Sequence, residues 1–391
     1  MRIFSFFLIL YFFHSCATSQ GISNVLQAPS MEYTGTENDL TLRVKIILLR
    51  TDDGKGNFDL NHPEEGEVIK EGIFNSMNNF KSWVKPNDLK ACYSGFDFFP
   101  STGLDFDVKF VYVNNTYAWN YLNSGSDMKI NKLSGFSPST SWYMKQIDDS
   151  IHLSEGNKKY IHVYLTNDGE DAEKVLFQKQ KPTDPKGKAA AQFPSYSDFD
   201  RSSQIHMPNA YLKYKYMREV APAEYNEPWS EVRKWLTEAG SAGLTHELLH
   251  NLGLAHNNEF HGANQCQYSI MSQKHTHARN YLQPTEIKKV HEVLSKTNMI
   301  QFVTENSHYG KTIVLNTGGN WNELRRYYAD FRLKNNQELT ISNKIILPVQ
   351  AKFHLERNSK VRITKDGSVV YPDGSEFNGW VRHSTANVIK E

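Results

Sequence analysis

Alternation of apolar and polar positions begins at Leu40: Leu42, Val44, Ile46 and Leu48 recur at every second residue, the period of a strand, and Asp52-Asp53-Gly54 closes the run as a turn. The period then lengthens. Across residues 65–84, Val68, Ile73, Met77, Phe80 and Trp83 fall at roughly helical spacing. Strand-like runs return at 108–113 (VKFVYV), 160–165 (YIHVYL) and 204–212, and a helix beginning near Ser230 leads into residues 245–257. Residues 282–294 (LQPTEIKKVHEVL) read as a further helix, with Thr285 as its N-cap. This order predicts an α/β (α+β) unit over residues 41–303 rather than an all-α or all-β one.

After Val303 the texture is purely β. Phe331/Leu333, Leu339/Ile341, Phe353/Leu355 and Val361/Ile363 are period-2 pairs separated by Asn-Asn, Leu-Pro, Arg-Asn and Asp-Gly. Short strands at near-regular spacing predict a small all-β sandwich or solenoid-like domain over residues 304–391. Residues 329–363 resemble β-rich modules attached to surface proteins of Bacteroidetes-type bacteria.

Composition narrows the function classes. In 391 residues, 44 Lys+Arg nearly cancel 43 Asp+Glu, so no long-range field favours nucleic acid or an anionic membrane. Only Cys16, Cys92 and Cys266 carry thiols, too few for a four-thiolate metal site or a disulfide scaffold. Residues 1–16 read as a signal peptide, with an apolar run from Ile3 to Phe13, and residues 17–40 as a tether or short pro-segment. Cleavage between Ser15 and Cys16 resembles the lipobox of bacterial lipoproteins, which implies a lipid anchor on Cys16 as the only attachment to a membrane. Cleavage in Ala17-Thr18-Ser19 is the alternative and gives a secreted chain. Cys92 and Cys266 are then either bridged or buried free thiols.

Residues 245–257 (THELLHNLGLAHN) carry the chemistry. His246 and His250 lie one helical turn apart on one face and can reach one metal ion, with Glu247 beside it. On an unbroken helix His256 would lie about 15 Å along the axis from His246, too far to share that ion. Gly253 can supply the φ > 0 turn that brings His256 back.

His246, Glu247, His250, Gly253 and His256 reproduce HExxHxxGxxH, and in this the chain resembles the metzincin zinc metallopeptidases. The resemblance covers roughly residues 40–300 and implies a mixed twisted sheet, an active-site helix and a C-terminal helix, with Ser269-Ile270-Met271-Ser272 as the Met-turn. It further implies one catalytic Zn2+ on the three imidazoles, and zinc-activated water with Glu247 as general base and proton donor to the leaving amine. The substrate would be a protein or peptide chain pairing with an edge strand at 189–195. The motif looks closest to matrixins and adamalysins, yet Asn257 after the third His fits neither, and Gln273 stands where astacins and serralysins carry a Tyr ligand.

Other features are weaker. His261, His275 and His277 could bind a second ion but read rather as solvated loop histidines, and Asp52, Asp53, Asn57 and Asp59 read as a turn, since they lack the regular spacing of a Ca2+ loop. The competing functional class is a non-catalytic surface binding or adhesion protein in which the zinc is structural.

Overall fold

In a computed structural model, residues 29, 32–82, 98–115, 142–166, 189–208, 210–239, 241–256, 269–271 and 281–391 are described. Strand β1 (Leu40–Arg50) is an interior strand of a mixed five-stranded sheet. It pairs in parallel with β2 (Leu104–Asn114) on one side and β3 (Ile161–Thr166) on the other; β5 (Gln204–Pro208) extends the parallel set. The two-residue β4 (Ala190–Ala191) closes the edge antiparallel to β5. A parallel sheet is buried on both faces, which explains the apolar density of β1. Val44, Ile46 and Leu48 join the main core, while Ile47 and Leu49 form a smaller cluster with Tyr164 on the other face.

Helix α1 (Pro63–Lys81) covers the first face. His62 caps it, accepting from the Glu65 N–H, and Glu64 and Glu65 sit in the first turn where the helix dipole favours them. Helix α2 (Trp142–Ser154) covers the second face through Ile147 and Ile151. Three short helices, α3 (Ala210–Glu219), α4 (Ala221–Tyr225) and α5 (Trp229–Lys234), and a π-turn (Trp235–Ala239) then lead into α6 (Ser241–Asn251), the motif helix. The strand expected over 204–212 ends at Pro208. Residues 210–212 belong instead to α3, which is packed on two sides: Leu212 and Tyr216 enter one cluster and Tyr214 another.

Helix α7 (Pro284–Lys296) matches the expected C-terminal helix, but its N-cap is Gln283 rather than Thr285. Pro284 takes the first helical position, and Glu286 accepts from the Gln283 N–H at 2.8 Å, which fixes the start two residues earlier.

Beyond a 3-10 turn (Asn298–Phe302) the chain winds into a coil of short strands. In order these are β6 (Thr312–Leu315), β7 (Gly319–Trp321), β8 (Arg325–Arg326), β9 (Asp330–Leu333), β10 (Glu338–Ile341) and β11 (Lys344–Ile346). β12 (Phe353–Leu355), β13 (Lys360–Ile363), β14 (Ser368–Val370), β15 (Trp380–Arg382) and β16 (Asn387–Lys390) follow. All pair in parallel in three ladders, β6-β9-β12-β15, β7-β10-β13-β16 and β8-β11-β14. Each third strand therefore stacks on its predecessor one coil below, the solenoid alternative rather than the sandwich. Asn336 and Asn358 turn equivalent corners at φ of 60° and 57° and are joined side chain to side chain at 3.1 Å.

One buried cluster runs from the sheet through α7 into the first coil. Arg326, 1 % exposed, donates to the carbonyls of Ile300, Val303 and Thr304, and the Tyr328 hydroxyl donates to the Leu294 carbonyl. His291 on α7 is the densest crossing: its Nε2–H donates to the Thr102 carbonyl at 2.7 Å, and Nδ1 accepts from the Tyr309 hydroxyl at 2.5 Å. Tyr33 stacks on the ring at 4.2 Å. Among the described residues no helix is long and apolar enough to cross a membrane.

Burial pulls the His291 imidazole from its ordinary 6.5 down to about 4. Between those values the unfolded chain binds a proton that the folded chain refuses, so stability is complete above pH 6.5 and falls as pH drops toward 4. The expected loss attributable to His291 is on the order of 3 kcal/mol. Urea unfolding of wild type and His291→Gln across that range checks it: the variant, which keeps a donor and an acceptor, should show a flatter pH dependence.

Candidate metal centre

Both ends of α6 are pinned. Near its start the Thr245 hydroxyl donates to the Ser76 carbonyl of α1 at 2.9 Å and accepts from the Asn79 amide at 3.1 Å. At its end the Asn251 amide reaches the carbonyls of Gln192 and Gln204, tying the helix to the β4–β5 edge. The helix stops at Gly253, whose φ of +86° few other residues adopt. Its N–H donates to the His250 carbonyl and that of Leu254 to the Leu249 carbonyl, so the chain doubles back. A Cβ at Gly253 would lie 2.7 Å from Val293 of α7, so the position has no room for one either.

This reversal brings three imidazoles together. The Nε2 atoms of His246, His250 and His256 stand 3.0–3.1 Å from one another. His246 Nδ1 is 2.8 Å from the Ile270 carbonyl and His250 Nδ1 is 2.6 Å from the Leu254 carbonyl. A carbonyl only accepts, so both Nδ1 atoms carry the proton and both Nε2 atoms present lone pairs. Two lone pairs face each other across the 3.1 Å edge between His246 and His250 with no hydrogen on it. Such a contact is repulsive until a cation lies between the nitrogens. Burial, together with the neighbouring His256, also holds the His250 imidazole below its ordinary pKa and so neutral, against the Leu254 carbonyl. The set fits a divalent metal ion whose ligand rings are oriented by backbone carbonyls.

Glu247, beside the first ligand, is 8 % exposed, and its carboxylate has no hydrogen-bond partner among the described residues. Burial raises its carboxyl to about 7. Phe193, about half exposed, stands on the edge segment with its ring 5.4 Å from that of His250. Ser195 anchors this segment through reciprocal bonds with Asn298.

Of the residues singled out in the sequence, His246, His250 and His256 converge, with Glu247 beside His246 on the same helix and Gly253 at the reversal. Met271 is fully buried and touches the site through its neighbour: the Ile270 carbonyl orients His246. Asn57 is a buried structural amide, donating to the carbonyls of Leu49 and Leu165, in keeping with a turn. Cys16, Cys92, Asn257, His261, Cys266, Gln273, His275 and His277 lie outside the described residues. A second group escaped the sequence reading. His152, Glu155 and His162 also bring ligand atoms within 4.8 Å of one another. The available signal was a His and a Glu three apart, followed by a His inside a strand. No family model matches this chain, and neither does any curated protein.

Gly253→Ala should weaken divalent-metal binding by about 10–100-fold, the range seen when the support of a ligand is lost. Competition against a chromophoric chelator, with circular dichroism to show retained folding, measures this.

Proposed function

We propose that this chain is a zinc-dependent endopeptidase of the metzincin type, exported and held at a bacterial cell surface by a lipid on Cys16, or secreted. The observation that carries the reading is Glu247: a buried carboxylate with no partner among the described residues, one position from a centre of three imidazoles. A zinc ion held by His246, His250 and His256 would supply Lewis acidity toward a peptide carbonyl and toward water.

The chain's own residues do the rest. Glu247 accepts the proton of the attacking water and returns it to the departing amine. The antiparallel edge at β4 offers backbone groups to an extended peptide, and Phe193 forms a wall between that edge and His250. The Leu254 and Ile270 carbonyls keep the ligand rings from rotating as substrate arrives. The β-coil would serve docking or adhesion.

A purely structural ion has no use for Glu247, whose burial costs stability and is accounted for by a catalytic role; this counts against the non-catalytic alternative. Glu247→Ala should cut turnover of a broad peptide library, read by mass spectrometry, by about 10²–10⁴-fold, with metal content unchanged. Unchanged turnover would overturn the mechanism.

A further inference from the structure

On the opposite face of the sheet, where α2 packs, lies a second cluster with the same construction. We propose that His152, Glu155 and His162 form a second, structural divalent-metal site. It is separate from the centre on α6: His162 is in register with Lys45 on the face of β1 that carries Ile47, not the face that carries Val44 and Ile46.

The tautomers carry the argument. His152 Nε2 is 2.9 Å from the Asp200 carbonyl, so that nitrogen bears the proton and Nδ1 is bare. His152 is 7 % exposed, its Nδ1 is fully buried without a hydrogen-bond partner among the described residues, and Glu155 Oε2 is 4.0 Å away. That separation is too long for a hydrogen bond. His162 is completely buried, and its Nδ1 donates to Asp148 Oδ1 at 2.6 Å. Asp148 is itself held by the Tyr164 hydroxyl at 2.7 Å and the Gln204 amide at 2.5 Å, while His162 Nε2 faces Glu155 Oε1 at 3.0 Å. Each ring thus spends its outer nitrogen on a fixed acceptor and aims its inner nitrogen at the shared space, as His246 and His250 do. Glu155 is oriented in turn by the Lys45 ammonium on Oε1 and the Tyr160 N–H on Oε2.

Two occupants compete for that space. A proton on His162 Nε2 satisfies Glu155 but strands the buried acceptor of His152, which burial without a partner penalises. A divalent cation engages His152 Nδ1, His162 Nε2 and Glu155 together, and its entry releases the proton from His162. Two imidazoles and one carboxylate suit zinc or iron(II) rather than calcium or magnesium. With His162 out of reach of solvent, the ion would fasten the end of α2 to β3 rather than meet a substrate.

Metal counting after equilibration with Zn2+ and gel filtration tests this. The expected result is two ions per chain in wild type, one in His246→Ala/His250→Ala, and one in His152→Ala. A single ion that survives His246→Ala/His250→Ala and is lost in His152→Ala would support this site and count against the three-His centre. One ion in wild type with none in His246→Ala/His250→Ala would overturn it, as would a His152→Ala protein holding as much metal as wild type. Should His152→Ala fail to fold, anomalous scattering at the zinc edge from wild-type crystals decides: a peak between His152 and His162 supports the site, and its absence overturns it.

Discussion

Three imidazole nitrogens held 3.0–3.1 Å apart, with lone pairs opposed on at least one edge, is the arrangement from which most of the surrounding structure follows. No chain adopts it without support, because the contacts repel one another until a cation joins them. The support comes from short-range directional bonds, chiefly two carbonyls that fix the tautomers of His246 and His250, and a left-handed turn that folds His256 back onto the helix. Glycine at that turn serves two ends at once. It permits the positive φ, and it lets α7 approach until Val293 fills the place a side chain would take.

Helix α7 therefore backs the site on one side and meets the β-coil on the other. Tyr328 bonds the Leu294 carbonyl, and Tyr309 bonds His291, which also reaches back to Thr102 before β2. The first coil is fastened to the helix that supports Gly253, and the buried apolar cluster is continuous across the two. The Arg326 guanidinium crosses the same junction, bonded to three carbonyls. Truncating it would strand those acceptors and remove packing together, a larger loss than that of an exposed ion pair. The boundary near residue 303 that the change in sequence texture suggests is thus a change of architecture within one core.

Periodicity was legible wherever one influence dominated. β1, α1 and the paired positions of the coil follow from apolar spacing alone, and the Asn-Asn and Arg-Asn punctuation marks the corners where Asn336 and Asn358 take positive φ. The three-His geometry was legible for a different reason: its ligands lie within eleven residues, so spacing and one glycine determine their meeting. Misreadings arose where two influences compete. Residues 210–212 extend the strand-like run that begins at 204 but open a helix packed from two sides, and α7 starts at Pro284 because a reciprocal cap between Gln283 and Glu286 outweighs the local preference of Thr285. His152, Glu155 and His162 come together only through the packing of α2 on β3, which no local pattern encodes.

The two faces of the sheet are held by different physics, and they would respond differently to change. On the α6 face the contacts are apolar and non-directional, so they set a general position and leave the ligand geometry to Thr245, Asn251 and the carbonyls of Leu254 and Ile270. Loss of a methylene there would cost about 1 kcal/mol, with the neighbours closing part of the cavity. On the α2 face Asp148 and His162 are buried and, with the partly buried Glu155 and Lys45, form one bonded chain, with an apolar cluster of Ile47, Leu49 and Tyr164 beside it. A buried charge deprived of its partner cannot relax in the same way, and the cost of about 3–5 kcal/mol falls on one place. The sheet thus combines a tolerant face beneath the proposed chemistry with an exacting one behind it, where the identity of each side chain matters more than its volume.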